Sequence, residues 1–202
     1  MTDRPKIYLA GPAVFLPDAL EIGRRKQALC RQFGFEGLYP LDAESPVTEG
    51  TERRDRRIYR ACIAMIAEAD CGIFDLTPFR GLSADVGTVY ELGMLLGLRK
   101  PAFAYSNVAE DYLARAQAAG IVLPERKGEA WIDAAGMAVE DFGNADNLML
   151  DVGLQEAGYP LIRMAVSAAE RYRDLRGFEA CLDLAKGALL GRSPPMMRTD
   201  RR

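Results

Sequence analysis

Five short apolar runs, KIYLA (6–10), GFEGLY (34–39), CGIF (71–74), PAFAYS (101–106) and PLIRMA (160–165), recur along this chain with helix-patterned stretches between them. Helices are expected over 18–32 and 51–69, from about Gly87 or Thr88 to the Lys100-Pro101 stop, over 107–119, within 146–158 and over about 167–189. Alternation of this kind makes each connection cross over the sheet, so the strands run parallel and helices cover both faces. The expected fold class is α/β, a single-domain three-layer arrangement around a mainly parallel five-stranded sheet. Residues 121–145 are less regular, broken by Gly, Pro and acids.

No linker or repeat divides the 202 residues, so one domain is expected over 1–190, with 191–202 a flexible C-terminal tail rich in Pro, Met and Arg. Hydrophobic residues make up 49% of the chain, enough for a real core. A formal charge of −3 gives no general attraction for a nucleic acid polymer. The cluster ERRDRRIYR (52–60) has interspersed acids and amphipathic spacing, which favour a solvated helix face over an RNA site. Glu52 and Arg56 there can pair at i,i+4. In the first helix Arg24, Arg25 and Lys26 are expected to face water.

The chain has no His, which excludes an H-E-x-x-H zinc site and any Ser-His or Cys-His pair. Acid–base chemistry then falls to Asp, Glu, Tyr, Cys or Lys. Cys30, Cys62, Cys71 and Cys181 lack metal-ligand spacing and read as reduced, mostly buried thiols. No secretory signal or bilayer-length apolar run is seen, so a cytoplasmic protein with no membrane partner is expected. Neither G-x-G-x-x-G nor G-x-x-x-x-G-K-[ST] occurs, which argues against dinucleotide or ATP.

Residues 71–93, CGIFDLTPFRGLSADVGTVYELG, concentrate the chemistry. Asp75, Asp85 and Glu91 fall at the end of a strand, in the following loop and on the next helix, where open α/β sheets bind ligands. A carboxylate can capture an oxocarbenium-like carbon while a second acid handles the leaving group's proton. The helix dipole would favour ionised Glu91. A structural reading competes: Thr88-Val89-Tyr90-Glu91 matches a capping box, and Asp85 can cap a helix or close an Asx-turn. On pattern alone the capping account has the edge. Gly81, Gly87 and Gly93 nevertheless permit close approach of backbone or ligand.

The chain resembles the nucleoside 2-deoxyribosyltransferase family, especially its longer protozoan-like branch. The resemblance rests on KIYLAGPAVFLP (6–17), YPLDAE (39–44), AD (69–70), FDLTPFRG (74–81), DVGTVYELG (85–93), KPAFAY (100–105) and DNLML (146–150), in that order. It implies a Rossmann-like or flavodoxin-like fold and exchange of the base of a 2'-deoxyribonucleoside donor with a free nucleobase acceptor, without metal or organic cofactor. It implies Glu91 as nucleophile, Asp85 for base binding and proton handling, and Tyr8 beside the nucleophile. Glu44 falls near a base-contacting position, Asp75 is a pocket acid, and Phe79 and Arg80 wall the nucleobase. Gly87 lies in the same motif. Asn147 resembles an asparagine delivered from a neighbouring subunit, which makes a homodimer or higher homo-oligomer part of the expectation; otherwise it caps a helix. Cys62 stands where the family generally has Asn or Asp against the sugar or the nucleophile, and this departure puts sugar recognition in question. The alternatives are an N-glycoside hydrolase acting on deoxynucleosides or deoxynucleotides, with Ser83 and Ser106 available for a phosphate, a non-catalytic nucleoside- or nucleotide-binding protein, and a structural interaction protein in which Glu91 only caps.

Overall fold

Side chains of the central strands alternate between two separate hydrophobic cores, and this alternation decides which candidate residues can meet. The computed structural model describes residues 4–43, 53–122, 128 and 130–191. In chain order the elements are β1 (Lys6–Ala10), α1 (Ala19–Phe33), β2 (Glu36–Leu38), α2 (Arg54–Glu68), β3 (Cys71–Asp75), α3 (Val86–Gly97) and β4 (Ala102–Ser106). They continue with α4 (Tyr112–Ala118), β5 (Trp131–Ile132), β6 (Ala138–Val139), α5 (Leu148–Glu156), β7 (Ile162–Arg163) and α6 (Arg176–Leu189). Five strands form one sheet in the order β2-β1-β3-β4-β7, and every pairing in it is parallel. This is the expected single-domain α/β architecture, with a flavodoxin-like strand order. The winding reverses between β1 and β3, so the ligand crevice of such a fold opens above those two strands.

Ile7, Leu9, Cys71, Ile73, Phe103 and Tyr105 pack with Cys30 of α1 and Phe178, Cys181 and Leu182 of α6. On the opposite face Tyr8, Ala10, Phe74, Ala102 and Ala104 pack with Ile66 of α2, Leu92 and Leu95 of α3, and Leu150 and Leu154 of α5. The period-2 strand pattern builds both cores from the same short runs. Gly11 ends β1 at φ +148°, and a Cβ there would lie 2.5 Å from that of Asp75. Two strand ends thus meet where only glycine fits.

Several boundaries differ from the sequence expectation. The last helix begins at Arg176, because residues 168–173 form turns, and α4 begins at Tyr112, behind its Asp111 cap. The irregular region contains a small antiparallel pair, β5 with β6. Lys26 is buried at 3% exposure rather than facing water, since α6 covers that side of α1. Glu44, Glu52 with its expected Arg56 pair, and residues 192–202 of the expected tail lie outside the described residues. Among the described residues no helix is long and apolar enough to cross a membrane, and no group of three or more His, Cys, Asp or Glu could hold a metal ion.

Candidate active site

Tyr8 stands in the middle of β1, fully buried on the α2/α3 face, and its Oη donates to Glu91 Oε1 at 2.7 Å. Glu91 is the sixth residue of α3, half-buried and one turn beyond the helix entrance. Cys62 of α2 completes the group, its half-buried thiol lying beside both Tyr8 and Glu91. Three elements therefore converge on one carboxylate, and two neutral groups point at it. Burial raises the Glu91 pKa above the ordinary carboxylate value; hydrogen bonds from Tyr8 and Cys62 pull it down, and the charge of Asp85 pushes it up. The Tyr8 phenol is driven far upward by burial and then by the Glu91 charge. Burial likewise raises the Cys62 thiol, so both neighbours remain neutral donors near neutral pH. The helix dipole contributes little here, because its field fades within the first turn and Glu91 lies beyond it.

The helix entrance resolves the capping question against the Thr88–Glu91 pattern. Asp85 is the N-cap of α3, accepting from the Thr88 amide at 3.0 Å and the Thr88 hydroxyl at 3.1 Å. With the cap three residues before Thr88, Glu91 falls too far into the helix to reach back to the entrance, and its carboxylate turns to Tyr8 instead. Gly87 occupies the first turn, where an added Cβ would sit 3.1 Å from Asp85 Oδ2. A side chain there would crowd the aspartate.

Asp75 is separated from this group by the sheet. It follows Cys71 and Ile73 on the α1/α6 face, is 1% exposed, accepts from the Thr77 amide at 3.1 Å and lies near Tyr105 of the neighbouring strand. Burial raises its pKa, opposed by the nearby Lys26 charge, while burial lowers that of Lys26. Phe79 and Arg80 form a stacked wall with a third residue that the sequence reading missed, Phe15. The two rings lie 5.1 Å apart at 11°, and the Arg80 guanidinium sits 4.7 Å from the Phe79 centroid and 5.2 Å from that of Phe15. Arg80 holds φ +54°, an uncommon backbone state for a non-glycine residue and one found often at functional loops. Tyr172 meets Phe79 edge-on and donates to the Pro78 carbonyl at 2.6 Å. Nothing in the Tyr172 sequence context signals this, because the turn that delivers it lies far along the chain. Phe15 was visible only within the resembling segment KIYLAGPAVFLP.

Asn147 is the exposed N-cap of α5. Its Oδ1 accepts from the Met149 amide at 3.0 Å and its Nδ2 donates to Glu140 at 2.7 Å. Ser83 lines a cavity of about 320 Å³ with Tyr112, Met137 and Asn147. Ser106 is buried at the end of β4 with its hydroxyl engaged by the Val108 amide, so these two serines do not form one phosphate end.

Comparison with known proteins bears on the family and the fold. A family model described as nucleoside 2-deoxyribosyltransferase matches residues 7–149. An uncharacterized protein of Schizosaccharomyces pombe is 32% identical over 173 residues, 76% of this chain and 79% of that protein. A 2-desoxiribosyltransferase from Leishmania mexicana superposes with a TM-score of 0.55 at 30% identity, over 72% of this chain and 85% of that one. A conserved protein from Enterococcus faecalis V583 shares the fold, with a TM-score of 0.53 at 16% identity over 90% of this chain and 99% of its own.

Proposed function

This chain belongs to the nucleoside 2-deoxyribosyltransferase family, and we propose that it moves a 2-deoxyribosyl group between nucleobases by double displacement at Glu91. The observation that carries this reading is the convergence of Tyr8 and Cys62 on a half-buried Glu91. In the first step the Glu91 carboxylate forms a bond to the anomeric carbon, and the glycosidic electron pair leaves with the donor base. In the second step a nitrogen of the acceptor base attacks the same carbon and the carboxylate is released. Two displacements retain configuration. Asp85 hydrogen-bonds the base and carries the proton exchanged with it.

Tyr8 fixes the rotamer of Glu91 so that one oxygen is left for the sugar. Cys62 adds a second, weaker donor on the same carboxylate. The Phe15, Phe79 and Arg80 stack provides a flat surface for the base. Asp75 acts from the other face of the sheet, through the loop that carries that stack. The Leishmania mexicana protein, matched over 85% of its length, supports placing the chain in the longer protozoan-like branch.

Assembly belongs to the same reading. Val86 and Tyr90 on α3 and Met149 and Val152 on α5 are exposed apolar side chains on two helices that both pack into the same core, through Leu92 and Leu95 of α3 and Leu150 and Leu154 of α5. A second copy packing on that face would carry its Asn147 with it, in an isologous dimer or a higher homo-oligomer.

The direct experiment incubates 2'-deoxyribonucleosides with a panel of free bases and follows products by chromatography. New deoxyribonucleosides that depend on the acceptor support transfer. Free deoxyribose with no acceptor requirement selects the hydrolase, and binding without turnover selects a nucleoside-binding protein.

A further inference from the structure

Asp146 is 2% exposed and bridges two segments that carry candidate site residues. One oxygen, Oδ2, accepts from the Ala84 amide at 2.8 Å, immediately before Asp85. The other, Oδ1, accepts from its neighbour's amide, Asn147, at 2.8 Å. Asp146 is itself fixed from below: the Asp151 carboxylate, 5% exposed, accepts from the amides of Ala145 and Asp146, each at 3.0 Å.

The carbonyl side of the same loop is held by Arg115. Its Nε and Nη2 donate to the Leu82 carbonyl at 3.1 and 2.8 Å, its Nη1 to the Glu110 carbonyl at 2.6 Å, and Nη2 also reaches the Ala145 carbonyl. The loop Leu82–Ala84 is thus gripped at one carbonyl and one amide directly before the cap of α3. The order of groups matters. A carboxylate has acceptors on both oxygens, and both partners here are amide donors that have no other described partner in this position. An asparagine in the same place presents one acceptor and one donor, so one of the two amides must face an N–H.

We propose that Asp146 is a positioning residue for Asp85, acting through the Ala84 amide, and that Arg115 holds the same loop by its carbonyls. This rests on the deoxyribosyl transfer reading. Asp85 must meet the base at hydrogen-bond range while capping α3, and a loop shift of an ångström would move it off that position. Asp146 also ties the Asp85 loop to the Asn147 cap, so the residue a chain keeps for its own site and the one it would carry to a second copy are held together.

The test uses the full chain and two donors: a natural deoxynucleoside, whose base needs proton handling, and a 4-nitrophenyl 2-deoxyriboside, whose phenolate leaves without a proton. Asp146→Asn is expected to lower kcat for the natural donor about 10- to 100-fold, the cost of misplacing a catalytic group, and to lower it less than about threefold for the nitrophenyl donor. Arg115→Lys keeps the charge but not the fork, and is expected to show the same donor dependence if Asp146→Asn fails to fold. Equal losses on both donors in both variants mean a general structural role and overturn the proposal alone. A wild-type protein inert toward both donors overturns the transfer reading, and this proposal with it.

Discussion

Tyr8 and Glu91 lie 83 positions apart in the chain and meet at 2.7 Å between Oη and Oε1. The contact joins the middle of β1 to the second turn of α3, so the direction of the proposed nucleophile is set by a buried strand of the sheet. Burial, and after it the Glu91 charge, raises the Tyr8 phenol well above its ordinary value, so it remains a proton donor near neutral pH.

Tyr8→Phe removes that donor while preserving the ring. Without it Glu91 loses its largest source of carboxylate stabilisation, and its pKa rises further. Attack requires ionised Glu91, so the acid limb of the kcat/KM profile moves to higher pH in the variant. At the plateau kcat is expected to fall about 10- to 100-fold, the usual range for one oriented donor. Steady-state kinetics across pH, with substrate saturation at each point, checks both effects.

Glu91→Gln should end exchange and stabilise the protein. The folded carboxyl keeps its proton to higher pH than the unfolded one, with burial the main cause. Stability therefore falls as pH rises from the unfolded value near 4.5 through the raised folded value, and the loss is complete above it. Glutamine carries no charge to bury. At neutral pH its melting temperature is expected to rise by about 2–4 °C, the shift that ~1 kcal/mol gives a chain of this length, and the gain should vanish in acid below the unfolded value.

Much of the fold is legible in the sequence. Strand and helix order followed from the alternation of apolar runs, because each run is short and bounded by Gly, Pro or charge. Glu91 and Asp85 stood out from their place after β3. The helix register did not: Thr88 through Glu91 and Asp85 through Thr88 both match caps, and only the three-dimensional entrance selects the second. Lys26 looked solvated because its neighbours Arg24 and Arg25 are, and nothing local announces that α6 folds over it. Asp75 reads as one of three clustered acids in sequence, yet strand alternation turns it to the opposite face. The fifth strand, expected over PLIRMA (160–165), is present as β7 but is only two residues long.

Lys26 and Asp75 are both buried on the α1/α6 side of the sheet, near enough for each charge to act on the other. Burial raises the Asp75 pKa and lowers that of Lys26, each opposed by the other's charge. Lys26→Met leaves the carboxyl without its cation and is expected to cost about 3–5 kcal/mol. The double variant Lys26→Met with Asp75→Asn should recover most of that. Denaturant unfolding of the two single variants, the double and the wild type measures the coupling; additive losses would mean that the two charges do not stabilise each other.

Cys62 is expected to tune Glu91 rather than to react. Its thiol is raised by burial and stays protonated near neutral pH, so the nucleophilic thiolate is scarce. Cys62→Ala removes one weak donor and should lower kcat about 2- to 5-fold, with the acid limb moving upward in pH. Cys62→Ser, which keeps a donor, should stay within about twofold of the wild type. A serine variant as impaired as alanine would mean that the thiol's size, not its hydrogen bond, matters.

The most direct test of the account is to trap the sugar on the protein. Wild-type protein mixed with a deoxynucleoside donor, in the absence of any acceptor base, is quenched in denaturing acid, digested and mapped by mass spectrometry. The account predicts one deoxyribosyl unit on the peptide holding Glu91, discharged when a free base is added before the quench, and absent from Glu91→Gln. Base exchange that proceeds with no adduct, or with the sugar on another residue, would contradict it.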